Sequence, residues 1–288
     1  MKQRLYLKFG LSILFVVAVM NTLQAQYDSS AAEKAGWRLA SQSYTFKSFT
    51  LAEALDKLNE AGIKYVEIYP SQNIGGGIEG TTKYDMSPET IKKVVTLLKQ
   101  KGIKAVNYGV VNPNDSIQWV KVFEFAKAMG LETIVSEPKT EMLPMIDRLA
   151  NKYGINVSLH NHPLPSYYWH PALVLNALKG RSPRIGACAD FGHWVRSGLD
   201  PIECVKMLKG KIISTHAKDL NEFGVRTAHD VPWGTGICNL PGILHELRKQ
   251  GFKGVFSIEY EYNWDKSLPE VKESAEYFYR FAYWMNKL

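Results

Sequence analysis

ACADFGHW, residues 187–194, runs without a break from an apolar strand into an aspartate and, three residues on, a histidine. Three further runs end in the same manner. LHNHP (159–163), STHAKD (214–219) and SIEYE (257–261) each close an apolar stretch with groups that bind a metal or move a proton. Earlier, YVEIYP (65–70) carries Glu67 and VSEP (135–138) carries Glu137, while YGVV (108–111) ends in nothing charged. Glu67 and Glu259 lie 192 residues apart in the sequence. The six strand-to-strand steps between them average about 32 residues, close to one βα unit of an eight-fold barrel of about 250 residues. Polar groups at the C-terminal ends of successive parallel strands converge on one mouth, which is where such barrels do chemistry.

Working outward, strand-like runs recur at Trp37–Phe46, Tyr65–Tyr69, Ala105–Val111, Thr133–Val135, Asn156–His160, Arg184–Ala189, Ile212–Thr215 and Val255–Glu259. Near-continuous apolar strands imply burial on both faces, as in a parallel sheet covered by helices. Amphipathic stretches separate them. LAEALDKLNEAG follows Thr50, a plausible N-cap, and ends at Gly62; SPETIKKVVTLLKQKG has Ser87 at the N-cap, Pro88 at the first helical position and Gly102 past the end. Alternating β and α elements with right-handed crossovers make either an open doubly wound sheet or a closed barrel. Eight units without a glycine-rich dinucleotide fingerprint favour the barrel. The expected fold is α/β, a (β/α)8 TIM barrel in one domain, residues 26–288.

Residues 1–25 read as a signal peptide: Lys2, Arg4 and Lys8 precede an apolar run from Leu11 to Met20, and Ala25 offers a small residue for cleavage before Gln26. About ten apolar residues are too few for a span of roughly 20, so stable membrane insertion is not expected after cleavage. A bacterial Sec-type signal implies a periplasmic or secreted protein. Its removal changes the net charge from +7 to +4, and the remaining excess is spread out, which excludes an obvious nucleic-acid surface. Cys188, Cys204 and Cys238 form an odd set without metal-like spacing and read as free thiols.

Two connections are long, 71–85 and 221–239, and both follow strands, so both are expected over the mouth. The GGG at 75–77 precedes no phosphate-binding pattern and reads as a flexible loop. The second loop carries His229, Asp230 and Trp233; the tryptophan has two readings, stacking on a sugar or plain burial.

His160 and His162 are two apart in a strand and point to one side, as do Ser214, His216 and Lys218, and Ser257, Glu259 and Glu261. Imidazole and carboxylate groups from several strands suit one divalent ion, Mn²⁺, Zn²⁺, Co²⁺ or Fe²⁺. A single such histidine is more often structural, but four consecutive strand ends of this kind argue for a metal site.

The order of strand-end ligands, the DxxH of Asp190 and His193, the His216 that follows and the SIE ending at Glu259 resemble the xylose-isomerase-like barrels. That superfamily includes sugar isomerases and epimerases, the sugar phosphate isomerase/epimerase group and endonuclease IV. The resemblance covers nearly the whole mature chain, through short motifs. In its keto-sugar epimerases one divalent metal is held by Glu, Asp, His and Glu from strands five to eight. Asp190, His216 and Glu259 match that set by position. The first ligand does not, because His160 stands where those relatives have glutamate. Either His160 is the ligand, or Glu137 from the neighbouring strand supplies the carboxylate.

The resemblance implies proton removal next to a carbonyl, with the ion stabilising the enediolate. Loss of the fifth-strand glutamate argues against a symmetric two-glutamate epimerisation. His162 becomes the candidate general base, or else a partner to a metal ligand. Lys218 or His193 would donate to the developing oxyanion; Lys218 might instead pair with Asp219, Glu222 or Asp230. Glu67 would bind substrate hydroxyls or form a barrel-end ion pair, and Asp230 and Trp233 would contact substrate from their loop. Export points to an unphosphorylated sugar or keto-sugar. The expected activity is metal-dependent sugar isomerisation or epimerisation. The alternatives are a 3-keto-glycoside lyase or hydratase, and a non-catalytic sugar-binding or scaffold barrel. No nucleic-acid partner is expected. Family members often associate as homo-oligomers, and no segment of this chain reads as an interface.

Overall fold

A computed structural model describes residues 29–287; the expected signal segment, 1–25, lies outside the described residues. Eight strands form the barrel: β1 (Trp37–Gln42), β2 (Tyr65–Ile68), β3 (Lys104–Tyr108), β4 (Thr133–Ser136), β5 (Asn156–His160), β6 (Ile185–Asp190), β7 (Ile212–Ala217) and β8 (Gly254–Ile258). Each pairs in parallel with its neighbours in sequence, and β1 closes the ring on β8, with Trp37 opposite Gly254. The described helices are α1 (Ser30–Lys34), α2 (Leu51–Glu60), α3 (Pro88–Gln100), α4 (Ser116–Met129), α5 (Leu143–Tyr153), α6 (Pro171–Ala177), α7 (Phe191–Arg196), α8 (Pro201–Met207), α9 (Leu240–Lys249) and α10 (Leu268–Met285). None is long and apolar enough to cross a membrane.

The helix punctuation works as its residue types require. Thr50 and Glu53 form a reciprocal capping box at α2, and the Ser87 hydroxyl accepts the Thr90 N–H ahead of Pro88 at α3. Outside the barrel the core is apolar and aromatic: Trp37 packs on Phe256 at 5.0 Å, and Phe256 on Phe278 of α10 at 5.2 Å. At the N-terminal end of the strands Glu132 takes a bidentate contact from Arg38, at 2.8 and 2.7 Å, and a third from Lys104. The three cysteines are free and buried.

Three segments differ from the sequence reading. The first strand stops at Gln42, whose side-chain oxygen accepts the Tyr44 N–H and turns Ser43–Phe46 into a 3₁₀ turn. Residues 75–77 are the tight end of a two-stranded hairpin, Asn73–Gly75 with Ile78–Thr81, in place of a loose loop. All three glycines there have positive φ, and a Cβ on Gly75 would meet Thr50 at 2.5 Å. The 221–239 connection is likewise held. Asp219 and Leu220 pair with Asp230 and Val231, and the Asp219 carboxylate accepts the N–H groups of Leu220, Gly234, Gly236 and Cys238.

Candidate active site

Inside the barrel the strands carry small polar residues, which leaves room for larger polar groups one layer higher. The hydroxyls of Ser158 and Ser214 meet at 3.0 Å, and Ser257 donates to Glu67 at 2.9 Å. Two residues further along each strand, with the same facing, stand His160, His216 and Glu259. Register sets Asp190 beside His216 and His216 beside Ser257.

Asp190 divides its two oxygens. It is the N-cap of α7, and its Oδ1 accepts the His193 N–H at 2.7 Å. That explains the three-residue spacing, since an N-cap side chain reaches the third helical N–H. Its Oδ2 is left for the mouth, 3.5 Å from His160 Nε2, 3.6 Å from His193 Nε2 and 2.7 Å from Lys218 Nζ. Lys218 is wholly buried and also bonds Glu259 Oε2, with Glu261 Oε2 at 3.5 Å. Its direct ion pairs are therefore with none of Asp219, Glu222 and Asp230, although Asp230 acts on it through space. The stem of Lys218 fits only because residue 192 is glycine: a Cβ there would meet the lysine Cβ at 2.7 Å.

Two histidines each present one nitrogen to a carboxylate behind them and the other to this centre. His160 Nδ1 lies 2.8 Å from Glu137 Oε1, and His216 Nε2 lies 2.7 Å from Glu67 Oε1. The opposite nitrogens, His160 Nε2 and His216 Nδ1, are buried and have no hydrogen-bond partner; His216 Nδ1 is 3.0 Å from Glu259 Oε2 but out of line for a bond. Carboxylates behind imidazoles are the usual means of fixing the tautomer and ring direction of metal-ligating histidine. Glu137 serves a second histidine too. Its Oε1 contacts His162 Nδ1 and accepts the His162 N–H at 3.2 Å, and its Oε2 accepts the Ser166 hydroxyl at 2.7 Å. The His162 side chain is half exposed, at the rim.

The electrostatics follow from these contacts. Burial would raise Asp190, but the His193 ring and the Lys218 ammonium hold it well below the usual carboxylate range. Burial would also raise Glu259, and His216 and Lys218 likewise hold it low. Burial pushes His193 well below the ordinary histidine value, against the pull of Asp190. For His160 burial is overcome by Asp190 and Glu137, which raise it to about 10.

His160, Asp190, His193 and Glu259 each place a ligand atom within 4.8 Å of the others, and Glu137, His160 and His162 form a second such group. With the two partnerless imidazole nitrogens facing two carboxylates, the donor set fits a divalent ion. Glu137 approaches His160 from the side away from Asp190, so the two contenders for the first ligand position are stacked one behind the other.

Glu67 and Trp233, each given two readings from the sequence, take the ion-pair and buried positions, and Asp230 is likewise buried. Glu67 is fully buried below His216, where Asn107, Ser257 and His216 occupy its oxygens. Trp233 is a core residue packed on Phe278, because Asp219 pulls its loop down onto the barrel. Asp230 is buried and ion-paired to Arg196 at 3.0 Å; burial pushes it up to about 7 despite Lys218 and Arg196. Arg196 was not singled out from the sequence. Its signal was its position, one further turn along from Asp190 and His193 in DFGHWVR.

The fold is an α/β barrel with a cluster of imidazole and carboxylate groups gathered at its C-terminal mouth from the ends of β5 to β8. The sequence profile of the xylose isomerase-like TIM barrel matches residues 55–281, and the chain belongs to that family. The crystal structure of an uncharacterised protein from Parabacteroides distasonis is similar at 36% identity and a TM-score of 0.70, over 84% of this chain and 98% of that one. Among curated proteins, the inosose isomerase of Halalkalibacterium halodurans is 25% identical over 54% of this chain and 64% of its own length. The rhizopine catabolism protein MocC of Rhizobium meliloti is 26% identical over 45% of this chain and 43% of its own length. The chain thus matches less than two thirds of either curated relative.

Proposed function

We propose that the protein is a divalent-metal-dependent sugar isomerase or epimerase that removes a proton beside a carbonyl of an unphosphorylated sugar or keto-sugar. Family membership supports a sugar isomerase, epimerase or related enzyme. The observation that carries the finer reading is the pair of buried, partnerless nitrogens, His160 Nε2 and His216 Nδ1, facing Asp190 Oδ2 and Glu259 Oε2. His160, Asp190, His216 and Glu259 would hold a divalent ion, which when bound would supply Lewis-acid stabilisation of negative charge on the carbonyl oxygen. In this reading Glu137 stands behind His160 and is not itself a ligand.

His162 is the base. Glu137 holds its Nδ1, which leaves Nε2 and its lone pair for the substrate proton. Lys218 Nζ, beside Asp190 and Glu259, and the His193 ring, whose centre lies 5.0 Å from that of His162, are the donors. The mouth gathers the carboxylates of Glu137, Asp190, Asp230, Glu259 and Glu261, with Glu67 behind His216, against Lys218, Arg196 and the raised imidazoles of His160 and His216, each already ion-paired. Such a field disfavours a phosphate dianion, which agrees with an exported enzyme and an unphosphorylated substrate.

One imidazole base and two nitrogen donors of different kinds in the same mouth also support a second reading, 3-keto-glycoside elimination or hydration. Incubation of Mn²⁺-loaded protein with free sugars and 3-keto-glycosides in D₂O, followed by NMR, tests both. Deuterium entry beside the carbonyl of an isomerised sugar supports the first, and release of the aglycone the second. Sugar binding without exchange would leave a binding barrel. His162→Ala is expected to retain the metal and lose exchange, whereas His216→Ala and Glu259→Gln lose both; exchange at the wild-type rate in His162→Ala would remove it as the base.

A further inference from the structure

We infer that Arg196 is a positioning residue that fixes His193 as the Nε2–H tautomer, so that this ring faces the mouth as a hydrogen-bond donor and not as a metal ligand. The inference rests on the proposed reaction only for what the donor acts on. A guanidinium has N–H groups and no acceptor. Arg196 Nη1 lies 3.1 Å from His193 Nδ1, so Nδ1 must offer its lone pair, and in the neutral ring the proton sits on Nε2. That nitrogen is 3.6 Å from Asp190 Oδ2, on the side of the candidate ligands.

The arginine cannot easily turn away. Its Nε donates to the Ala228 carbonyl at 3.1 Å, Nη2 to Asp230 at 3.0 Å and Nη1 to Glu261 at 3.2 Å. One turn of α7 sets Arg196 beside His193, while the ribbon carrying Asp230 and the exit of β8 carrying Glu261 fix the far side of the guanidinium. The consequence is a division among the four mouth histidines. His160, His162 and His216 each have one nitrogen committed to a carboxylate oxygen, an acceptor, so that in the neutral ring, the form that binds a metal, the other nitrogen carries the lone pair. His193 has its outer nitrogen committed to a donor. Among the neutral rings it alone turns an N–H to the centre. This selects His216 over His193 as the fourth ligand and makes His193 the donor to the substrate oxygen.

The experiment reads the tautomer directly. In ¹⁵N-labelled, metal-free full-length protein, two-bond ¹H–¹⁵N correlations distinguish the two neutral tautomers from imidazolium, and His193→Gln identifies the His193 signals. The wild type is expected to show His193 as Nε2–H, and Arg196→Met to lose that preference, with Arg196→Lys keeping it. A wild-type His193 found as Nδ1–H or imidazolium would overturn the inference without any variant; an unchanged Nε2–H ring in Arg196→Met would overturn the assignment to Arg196. With metal bound, Arg196→Met should lower the rate of solvent exchange into substrate by roughly 100-fold at unchanged metal content, and an unaltered rate would remove the donor role. Absence of exchange in the wild type fails the enzymatic reading instead, and the tautomer result still decides Arg196.

Discussion

At the scale of single residues the site is governed by what stands behind each imidazole. Glu137 contacts the Nδ1 of both His160 and His162, so one carboxylate orients a candidate ligand and a candidate base together. Glu137→Gln keeps the shape but removes the charge that, with Asp190, raises His160 and that sets which nitrogen carries the proton. Its metal affinity is expected to fall about 10–100-fold, the usual cost of losing such a partner, and competition with a chelator measures it. An unchanged affinity would mean that His160 is not a ligand. This carboxylate also shows why the sequence left the first ligand open. The residue types at 137 and 160 were legible, and so was their placement on adjacent strand ends. Which of them lies in front depends on side-chain direction, which no spacing encodes.

At the scale of elements the barrel is stapled at the end opposite the mouth. Arg38 leaves the start of β1 and Lys104 the start of β3 to meet Glu132 just before β4. Glu132 is held down to about 2, chiefly by its Arg38 hydrogen bonds, with burial opposing and Lys104 assisting. A carboxylate whose folded value lies below its unfolded one contributes stability that is complete above about 4.5 and fades as the pH falls towards about 2. Glu132→Gln should therefore lower the urea midpoint at pH 7. The difference from the wild type should narrow between pH 4 and pH 2.5, with mouth chemistry at pH 7 unaffected. With a third of the side chain exposed, solvent screening reduces the effect to about 1 kcal/mol. A gap that did not change with pH would assign the loss to packing and not to charge. Helix ends of this fold were legible because capping is local: Thr50, Ser87 and Pro88 act within four residues of themselves. The 221–239 connection was not, because Asp219 organises it through backbone N–H groups up to 19 residues away. Trp233 went into the core for the same reason.

At the scale of the whole molecule, alternation of strand and helix with a spacing of about 32 residues left an open sheet or a barrel, and eight units without a dinucleotide fingerprint decided for the barrel, from which closure and a common mouth follow. The mouth concentrates buried carboxylates, compensated in the metal-free protein by Lys218, Arg196 and the raised imidazoles of His160 and His216. A folded state with two orphaned imidazole nitrogens and two depressed carboxylates is a better ligand for a cation than the unfolded chain, whose groups are dispersed. Binding to the folded state alone stabilises by about 2.7 kcal/mol at a hundredfold excess over Kd. For a domain of this size that corresponds to a rise in Tm of roughly 5–10 °C, taking about 2–4 °C per kcal/mol. Thermal unfolding after chelator treatment, repeated with added Mn²⁺ or Zn²⁺, should show that rise in the wild type, most of it lost in His216→Ala. Because the cations of the mouth are already ion-paired, inorganic phosphate should give no comparable shift; stabilisation by phosphate and not by the metal would place the wrong sign of charge at the centre of this site.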